Sequence, residues 1–332
     1  MDRVRQSVDR RTSIHLLTGF LGSGKTSLLQ HYLRTPSGAD TAVLINEFGE
    51  IGLDHRLVAA GTAGVQLVEG GCLCCAVSGV LGESLRALLA ERKRTADHPF
   101  SDLVIETAGL AYPEPILNTI RSDYALNEYL RIGTVVTVVD AVTAEQSFAR
   151  HPEAVRQATA ADRVVVTKAD LVPPSQVARV IQHVRSLNPF AEIVVAGTLE
   201  FRRSALFHAP SERRETWSSE EAPTHRSTYR TFALTIEQPL DWARFSLWLA
   251  ALLNRHGRSL LRFKAILDLR GTSRPVVIHG VQHLMFPPRH LDRLPDGQRG
   301  SNLVFIVDAM DPERILRSLH RFMEQRAQPL AA

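Results

Sequence analysis

The sequence predicts an α/β protein in which helices flank a mostly parallel sheet, followed by a smaller C-terminal α+β domain. Apolar segments rich in Val and Ile alternate with amphipathic helical patterns in the first part of the chain. The predicted strands are 14–18, 41–46, 64–70, 102–107, 134–140, 163–168 and 192–197. In such a sheet the strands run in one direction, and ligands bind at the edge formed by their carboxyl ends.

The strand and helix alternation stops after residue 200. Residues 201–227 are charged, contain two prolines and lack a sustained period, so they are predicted to be a linker. Residues 228–326 then show strand patterns, a helix that ends near Gly257 and a final helix from Pro312. The predicted domains are therefore 1–200 and 228–326.

The composition indicates a globular protein, with 44% hydrophobic and 22% charged residues. A net charge of +4 with interleaved signs gives no reason to expect a nucleic-acid partner. The N-terminus is charged, and no apolar segment reaches the roughly 18 residues of a membrane span. We therefore expect a cytoplasmic protein without a membrane partner.

The stretch GFLGSGKT, residues 19–26, carries the most specific chemical pattern. Its glycines, Gly-Lys-Thr ending and place between a strand and a helix match the phosphate-binding loop of P-loop NTPases. Lys25 is expected to reach the β- and γ-phosphates, and the Thr26 hydroxyl to bind Mg²⁺. The residues assigned to the nucleotide here are Gly19, Gly22, Ser23, Gly24, Lys25, Thr26 and Ser27.

Two further segments complete a predicted nucleotide site. Glu106 ends the apolar stretch DLVIE, residues 102–106, where P-loop proteins place an acid in the Mg²⁺ shell, and the Gly109 amide is expected to meet the γ-phosphate. Asp170 in TKAD, residues 167–170, offers a carboxylate that can accept two hydrogen bonds from guanine. The stem of Lys168 is expected to lie along the base.

The ordered combination of motifs resembles the CobW family of P-loop GTPases, which are related to the HypB and UreG proteins. The matching segments are GFLGSGKTSLL at 19–29, INEFGEIGLDHRLV at 45–58, GGCLCC at 70–75, ETAGLAYPEP at 106–115, TKADL at 167–171 and RPVVIHGVQHLMFPP at 274–288. The resemblance implies that GTP and Mg²⁺ lie among Gly22, Gly24, Lys25, Thr26, Glu47, Glu106 and Gly109. GTP hydrolysis without a client is expected to be slow, because the sequence offers no obvious arginine finger or water-orienting glutamine.

Two positions depart from the family pattern. Thr167 stands where an Asn is usual, which predicts the loss of one contact to the base or to the phosphate loop. Ala108 stands where a small hydroxyl residue is usual, which removes a hydrogen-bonding group from the segment that senses the γ-phosphate.

All three cysteines of the chain, Cys72, Cys74 and Cys75, fall within four positions. Thiolates are soft ligands that favour Zn²⁺ or Cu(I), and three of them leave a fourth tetrahedral position open. Glu50 and His55 are candidates for that position. The residues alone leave two alternatives, a redox sensor built on the vicinal pair Cys74 and Cys75, or cysteines that only pack inside the protein. The family resemblance favours a metal site. Zn²⁺ is the default metal, and Co²⁺ or another transition metal is the substitute.

The sequence-based hypothesis is a GTP-driven metal chaperone that passes Zn²⁺ to a client metalloprotein. A nucleotide-dependent kinase or ligase, and a zinc-binding or redox module with a vestigial nucleotide site, are the rival classes. A homodimer is one assembly that the sequence allows. His279 and His283 are predicted to share one strand face about 13 Å apart, too far for one ion.

Overall fold

The computed structural model describes residues 11–38, 40–46, 65–67, 77–94, 100–199, 201, 206–207, 229–294 and 300–324. The chain divides into two compact units. The first takes in Met1–Ile181 and Ala191–Pro210, and the second takes in Gln182–Phe190 and Ser211–Ala332. Each unit has its own sheet.

The first unit contains a sheet of parallel strands. They are β1 (Thr12–Gly19), β2 (Thr41–Asn46), β3 (Val65–Leu67), β4 (Asp102–Thr107), β5 (Leu130–Asp140), β6 (Arg163–Thr167) and β7 (Glu192–Val195). The seven strands of the described part are ordered β3-β2-β4-β1-β5-β6-β7, and every adjacent pair is parallel. The predicted mostly parallel sheet is thus confirmed.

Helices connect and cover these strands. They are α1 (Lys25–Leu33), α2 (Val77–Arg94), α3 (Pro113–Ser122), α4 (Tyr124–Tyr129), α5 (Ala144–Arg150), α6 (Pro152–Ala160) and α7 (Pro174–Leu187). Pro113 and Pro152 each open a helix, where the missing N–H of proline costs no hydrogen bond. β2, β3 and β4 lie on one side of β1, whereas β5, β6 and β7 lie on its other side. The strand order therefore reverses at β1, and the switch point of the sheet lies at the carboxyl end of that strand.

The core of the first unit extends beyond the predicted domain end at residue 200. Leu206 and Phe207 are buried in the same cluster as Leu17 and Val136. The carbonyl of Phe207 also accepts a hydrogen bond of 2.8 Å from the buried Thr134 hydroxyl. The predicted linker from residue 201 therefore begins too early, because two apolar residues inside that charged segment pack against the sheet.

The second unit is built on an antiparallel sheet. Its strands are β8 (Tyr229–Ile236), β9 (Leu260–Leu267), β10 (Val276–Val281), β11 (Leu284–Met285), β12 (Arg289–His290) and β13 (Ser301–Asp308). In the described residues the order is β11-β10-β9-β13-β8, with β12 also paired to β10. Helices α8 (Trp242–His256) and α9 (Pro312–Glu324) complete the predicted α+β domain.

An aromatic cluster forms the centre of the second core. The Phe305 ring lies 4.9 Å from Phe263 and 5.1 Å from Phe232, and it meets the edge of Trp248 at 6.5 Å. Phe245 packs on the other side of Trp248. Aromatic pairs in these offset and edge-on arrangements stabilise a core beyond the area that they bury.

The predicted arrangement of His279 and His283 on one strand face is wrong. β10 ends at Val281, and Val281 pairs with Leu284, so Gln282 and His283 form a two-residue hairpin turn. Gln282 has a φ of 52°, as such a turn requires. His279 stacks on Phe286 at 4.5 Å within the second unit.

Among the residues that the structure describes, no helix combines the length and apolar character needed to cross a membrane.

Truncation of the aromatic centre should strongly destabilise the second unit. Phe305→Ala is expected to cost about 3 to 5 kcal/mol, because it removes a large buried ring and leaves a cavity. Leu247→Ala on α8 is the matched control, since that side chain is 65% exposed and should change stability by no more than about 0.5 kcal/mol. Chemical denaturation followed by tryptophan fluorescence measures both, and equal losses would contradict the assignment of Phe305 to the core.

Candidate nucleotide-binding site

The loop between β1 and α1 forms an anion cradle at the switch point. Gly22 and Gly24 have φ values of 70° and 94°, which side-chain-bearing residues rarely adopt. Gly24 is the N-cap of α1, and no side chain caps that helix. The first amides of the helix are therefore available to a negatively charged ligand, and the helix dipole favours one there.

The Lys25 side chain folds back onto its own loop. Its ammonium donates hydrogen bonds to the carbonyls of Gly19 at 3.0 Å and Phe20 at 3.3 Å. These contacts hold a positive charge beside the cradle. Ser23 is buried on the inner side of the same loop, and Ser27 is exposed in the first turn of α1.

Thr26 and Glu106 form the polar contact beneath the loop. The Thr26 hydroxyl donates a hydrogen bond of 2.6 Å to one carboxylate oxygen of Glu106. Glu106 is only 4% exposed and lies beside Leu17 in the register of β4 with β1. A hydroxyl and a buried carboxylate side by side supply the hard oxygen ligands that Mg²⁺ prefers, so these two residues fit a Mg²⁺ site.

The segment after β4 touches the phosphate loop directly. A side-chain carbon placed on Gly109 would lie 2.8 Å from the Leu21 backbone nitrogen and 2.9 Å from its α-carbon. Only a glycine fits such an approach. The structure therefore brings Gly109 together with the loop, as the sequence predicts; its role toward the γ-phosphate stays a prediction.

Thr167 and Lys168 hold the phosphate loop from the side of the predicted base site. The Thr167 hydroxyl donates to the Ser23 carbonyl at 2.7 Å, and the Lys168 ammonium donates to the Gly22 carbonyl at 2.8 Å. The predicted loss of a contact at Thr167 therefore does not fall on the phosphate loop, because a threonine hydroxyl reaches the carbonyl. The loss of a contact to the base stays a prediction. Asp170 is exposed in the short 3-10 turn Ala169–Leu171, and its contact with a base stays a prediction.

Sequence reasoning did not identify Asp140, which is the last residue of β5, as Glu106 is the last but one of β4. Its carboxylate accepts 2.6 Å and 2.7 Å hydrogen bonds from the Lys168 ammonium and the Val142 amide. The signal available in the sequence was its place at the end of an apolar strand. Lys168 has a φ of 56°, and these bonds to Asp140 and Gly22 hold it in that unusual conformation.

A second missed group lies at the start of α3, beyond the Gly109 segment. Glu114 is buried, and burial raises the pKa of its carboxyl, a rise that a backbone hydrogen bond and the Arg156 guanidinium at 4.0 Å oppose. Arg156 also lies over the Tyr112 ring at 5.0 Å. Burial, and next the Glu153 charge, raise the pKa of the Tyr112 hydroxyl.

Several predicted site residues lie outside the described residues: Glu47, Glu50, His55, Cys72, Cys74 and Cys75. Within the described ranges, no group of three or more His, Cys, Asp or Glu side chains is arranged to hold a metal ion. β2 and β3 end at the same edge of the sheet as the phosphate loop, since both run parallel to β4. Residues 47–64 and 68–76 connect to that part of the sheet.

Comparison with known protein families shows to which family the chain belongs. Residues 13–195 match the model of the CobW/HypB/UreG nucleotide-binding domain. The chain belongs to the CobW/HypB/UreG family. Residues 229–323 match the C-terminal domain of the cobalamin synthesis protein CobW. The resemblance stated from the sequence motifs is thus confirmed.

Curated relatives within the CobW/HypB/UreG family include two zinc chaperones. The zinc chaperone YjiA of Escherichia coli is 29% identical over 278 residues, which cover 82% of this chain and 86% of the relative. The zinc chaperone CobW of Pseudomonas aeruginosa is 29% identical over 347 residues, which cover 92% and 90%. The solved structure of the Zn(II)-bound YjiA GTPase of E. coli has the same fold, with a TM-score of 0.66, 21% identity and coverage of 95% and 99%.

The buried Glu114 gives a test by pH. The pKa of the Glu114 carboxyl is raised in the folded state. The stability that its protonated form contributes is therefore complete below the ordinary carboxyl pKa of 4.5, and it is lost as the pH rises through the raised pKa. Glu114→Gln removes this titration. We therefore expect the variant to gain stability over the unmodified protein as the pH rises above 4.5.

Urea unfolding midpoints at several pH values measure this gain. At a pH below 4.5 the two proteins should differ least, since both side chains are then uncharged, and that point is the internal control. A difference that stays constant across the whole pH series would show that Glu114 does not titrate as its burial requires.

Proposed function

We propose that this chain is a GTP-binding and GTP-hydrolysing metal chaperone, which binds Zn²⁺ at its cysteine segment and delivers it to a client metalloprotein. The observation that carries the nucleotide part is the Thr26–Glu106 hydrogen bond of 2.6 Å directly beneath an uncapped helix N-terminus. An anion cradle, a lysine and an oxygen pair are the parts that phosphoryl transfer needs. Family membership and the zinc-chaperone relatives support the same function.

Thr26 and Glu106 would hold Mg²⁺ at the triphosphate, and Mg²⁺ would supply charge neutralisation on the phosphate oxygens. The chain's own groups do the remaining work. The amides of the phosphate loop bind the phosphate oxygens, and Lys25 exchanges its two loop carbonyls for the β- and γ-phosphates. The short distance between Gly109 and Leu21 supports a position for the segment after β4 beside the end of the triphosphate.

The base site favours guanine for a chemical reason. The Asp170 carboxylate accepts hydrogen bonds but donates none, so it matches the two donors on one edge of guanine. Adenine offers no such pair of donors at that edge. Thr167 and Lys168 tie this site to the phosphate loop, and the base and the phosphates are therefore recognised by one connected framework.

The metal part of the proposal rests on Cys72, Cys74 and Cys75 and on the relatives. Three thiolates suit Zn²⁺ and leave a position through which the ion can be passed on. The segment that follows β2 leads from the nucleotide edge of the sheet toward these cysteines along the chain. GTP binding and hydrolysis would change the conformation of that segment and with it the affinity for zinc. We place this exchange in the cytoplasm, where thiols stay reduced.

Removal of the Thr26 hydroxyl tests the nucleotide part. Thr26→Ala should lower the rate of Mg²⁺-dependent GTP hydrolysis by about a hundredfold, because one of the two oxygen ligands of the metal is lost. Phosphate release measures the rate. Thr35→Ala removes a hydroxyl that bonds to the Tyr32 carbonyl beyond the other end of α1, so this control should hydrolyse GTP normally. Equal rates in all three proteins, or no hydrolysis by the unmodified chain, would exclude the proposed GTPase.

Zinc affinity in two nucleotide states tests the chaperone part. Competition titrations against a chromogenic chelator, with GTP plus Mg²⁺ and then with GDP, should give two different Zn²⁺ affinities. Cys74→Ala should abolish tight zinc binding, whereas Thr26→Ala should keep the binding and lose its dependence on GTP. A zinc affinity that is the same in both nucleotide states would indicate a static metal site.

A further inference from the structure

Helix α6 contacts both segments that surround the predicted γ-phosphate position. At its N-terminus the His151 ring lies 4.5 Å from the ring of Phe20 in the phosphate loop. In its last turns, Gln157 points toward the segment after β4. α6 is therefore placed to fix these two segments relative to each other.

The Gln157 side chain makes two hydrogen bonds to that segment. Its amide nitrogen donates to the carbonyl of Gly109 and to the carbonyl of Ala111, both at 3.0 Å. Because both partners are acceptors, only the NH₂ end of the amide can face them. The Gln157 backbone is anchored in turn, since its carbonyl accepts a hydrogen bond of 2.7 Å from the Thr137 hydroxyl on β5.

The segment held by Gln157 is a tight turn. The Ala111 amide donates to the Ala108 carbonyl at 3.0 Å, which closes the turn over Gly109. A trans peptide group is planar, so the Ala108 carbonyl and the Gly109 N–H point in opposite directions. The carbonyl faces into the turn and the Gly109 N–H therefore faces out of it. Gln157 bonds to two other carbonyls of this turn, those of Gly109 and Ala111, and so holds the turn from outside.

Burial of the Gln157 amide carries an energetic cost. Gln157 is 0% exposed, and within the described residues its side-chain oxygen has no hydrogen-bond partner. A buried polar atom in that condition costs about 1 to 3 kcal/mol. Replacement of Gln157 by an apolar residue would remove the hydrogen bonds to both the Gly109 and the Ala111 carbonyl. The position thus requires the two donors of a glutamine amide.

We propose that Gln157 is a positioning residue for GTP hydrolysis, which holds the turn 108–111 so that the Gly109 N–H is presented to the γ-phosphate. The inference rests on the proposed GTPase function. Gln157 acts through Gly109 and contacts no nucleotide itself. GDP lacks the γ-phosphate, so the turn matters for GTP and its hydrolysis but little for GDP.

Gln157→Met tests the proposal because it keeps the length of the side chain and removes both donors. The turnover number for GTP should fall at least about tenfold, while the dissociation constant for GDP should change by less than about threefold. Gln157→Leu, which is smaller than Met and also lacks both donors, should show the same separation and carries the test if the Met variant does not fold. Phosphate release and fluorescent GDP titration are the measurements.

Thr134→Val is the control for a purely structural loss. It removes another buried hydrogen bond of the same unit, at the opposite end of β5 from the phosphate loop, and should lower stability without separating turnover from GDP affinity. If turnover and GDP affinity fell together in the Gln157 variants, or if neither changed, the positioning role would be overturned. An unmodified chain that hydrolyses no GTP would instead refute the proposed function.

Discussion

The parallel register of β1 with its two neighbours is the constraint on which the nucleotide site depends. It sets Leu17 beside Glu106 on β4 and Gly19 beside Val138 on β5. The loop after β1 and the acid near the end of β4 therefore meet without any long connection. Side chains alternate between the faces of a strand, so a slip of one residue would turn Glu106 away from Thr26.

Hydrogen bonds to loop carbonyls then fix the shape of the phosphate loop. Thr167 and Lys168 engage the carbonyls of Ser23 and Gly22 from one side. Since carbonyl and N–H point in opposite directions across a trans peptide, the bond to the Ser23 carbonyl directs the Gly24 N–H away from Thr167. The same principle governs the turn over Gly109. In both segments the protein orients amides by holding the carbonyls behind them.

The sequence was most informative where the chemistry depends on neighbours along the chain. The phosphate loop, the acid Glu106 and the glycine three positions later follow from short motifs and from the end of an apolar strand. Thr167 shows the limit of such motifs, because a different side chain contacts the loop where the pattern alone predicted the loss of one contact to the base or to the loop.

Contacts between distant elements could not be predicted in the same way. Gln157 donates to backbone carbonyls of another segment, and Asp140 accepts from the distant Lys168 ammonium. Nothing in the spacing of residues reveals which group a side chain will reach. His283 was placed on the same strand as His279 because apolar residues lie on both sides of Gln282 and His283, and these two residues form a hairpin turn without a glycine to mark it. Leu206 and Phe207 were assigned to the linker because two apolar residues in a charged segment carry no periodicity.

The uncapped N-terminus of α1 has a practical consequence for any measurement on this protein. A cradle of backbone amides with Lys25 beside it does not distinguish a nucleotide phosphate from inorganic phosphate or sulfate in the buffer. An anion that binds only the folded state stabilises it and raises the apparent melting temperature. The stabilisation grows with the logarithm of the ratio of the anion concentration to its dissociation constant. Melting temperatures recorded in phosphate buffer and in an amine buffer therefore describe two differently liganded proteins.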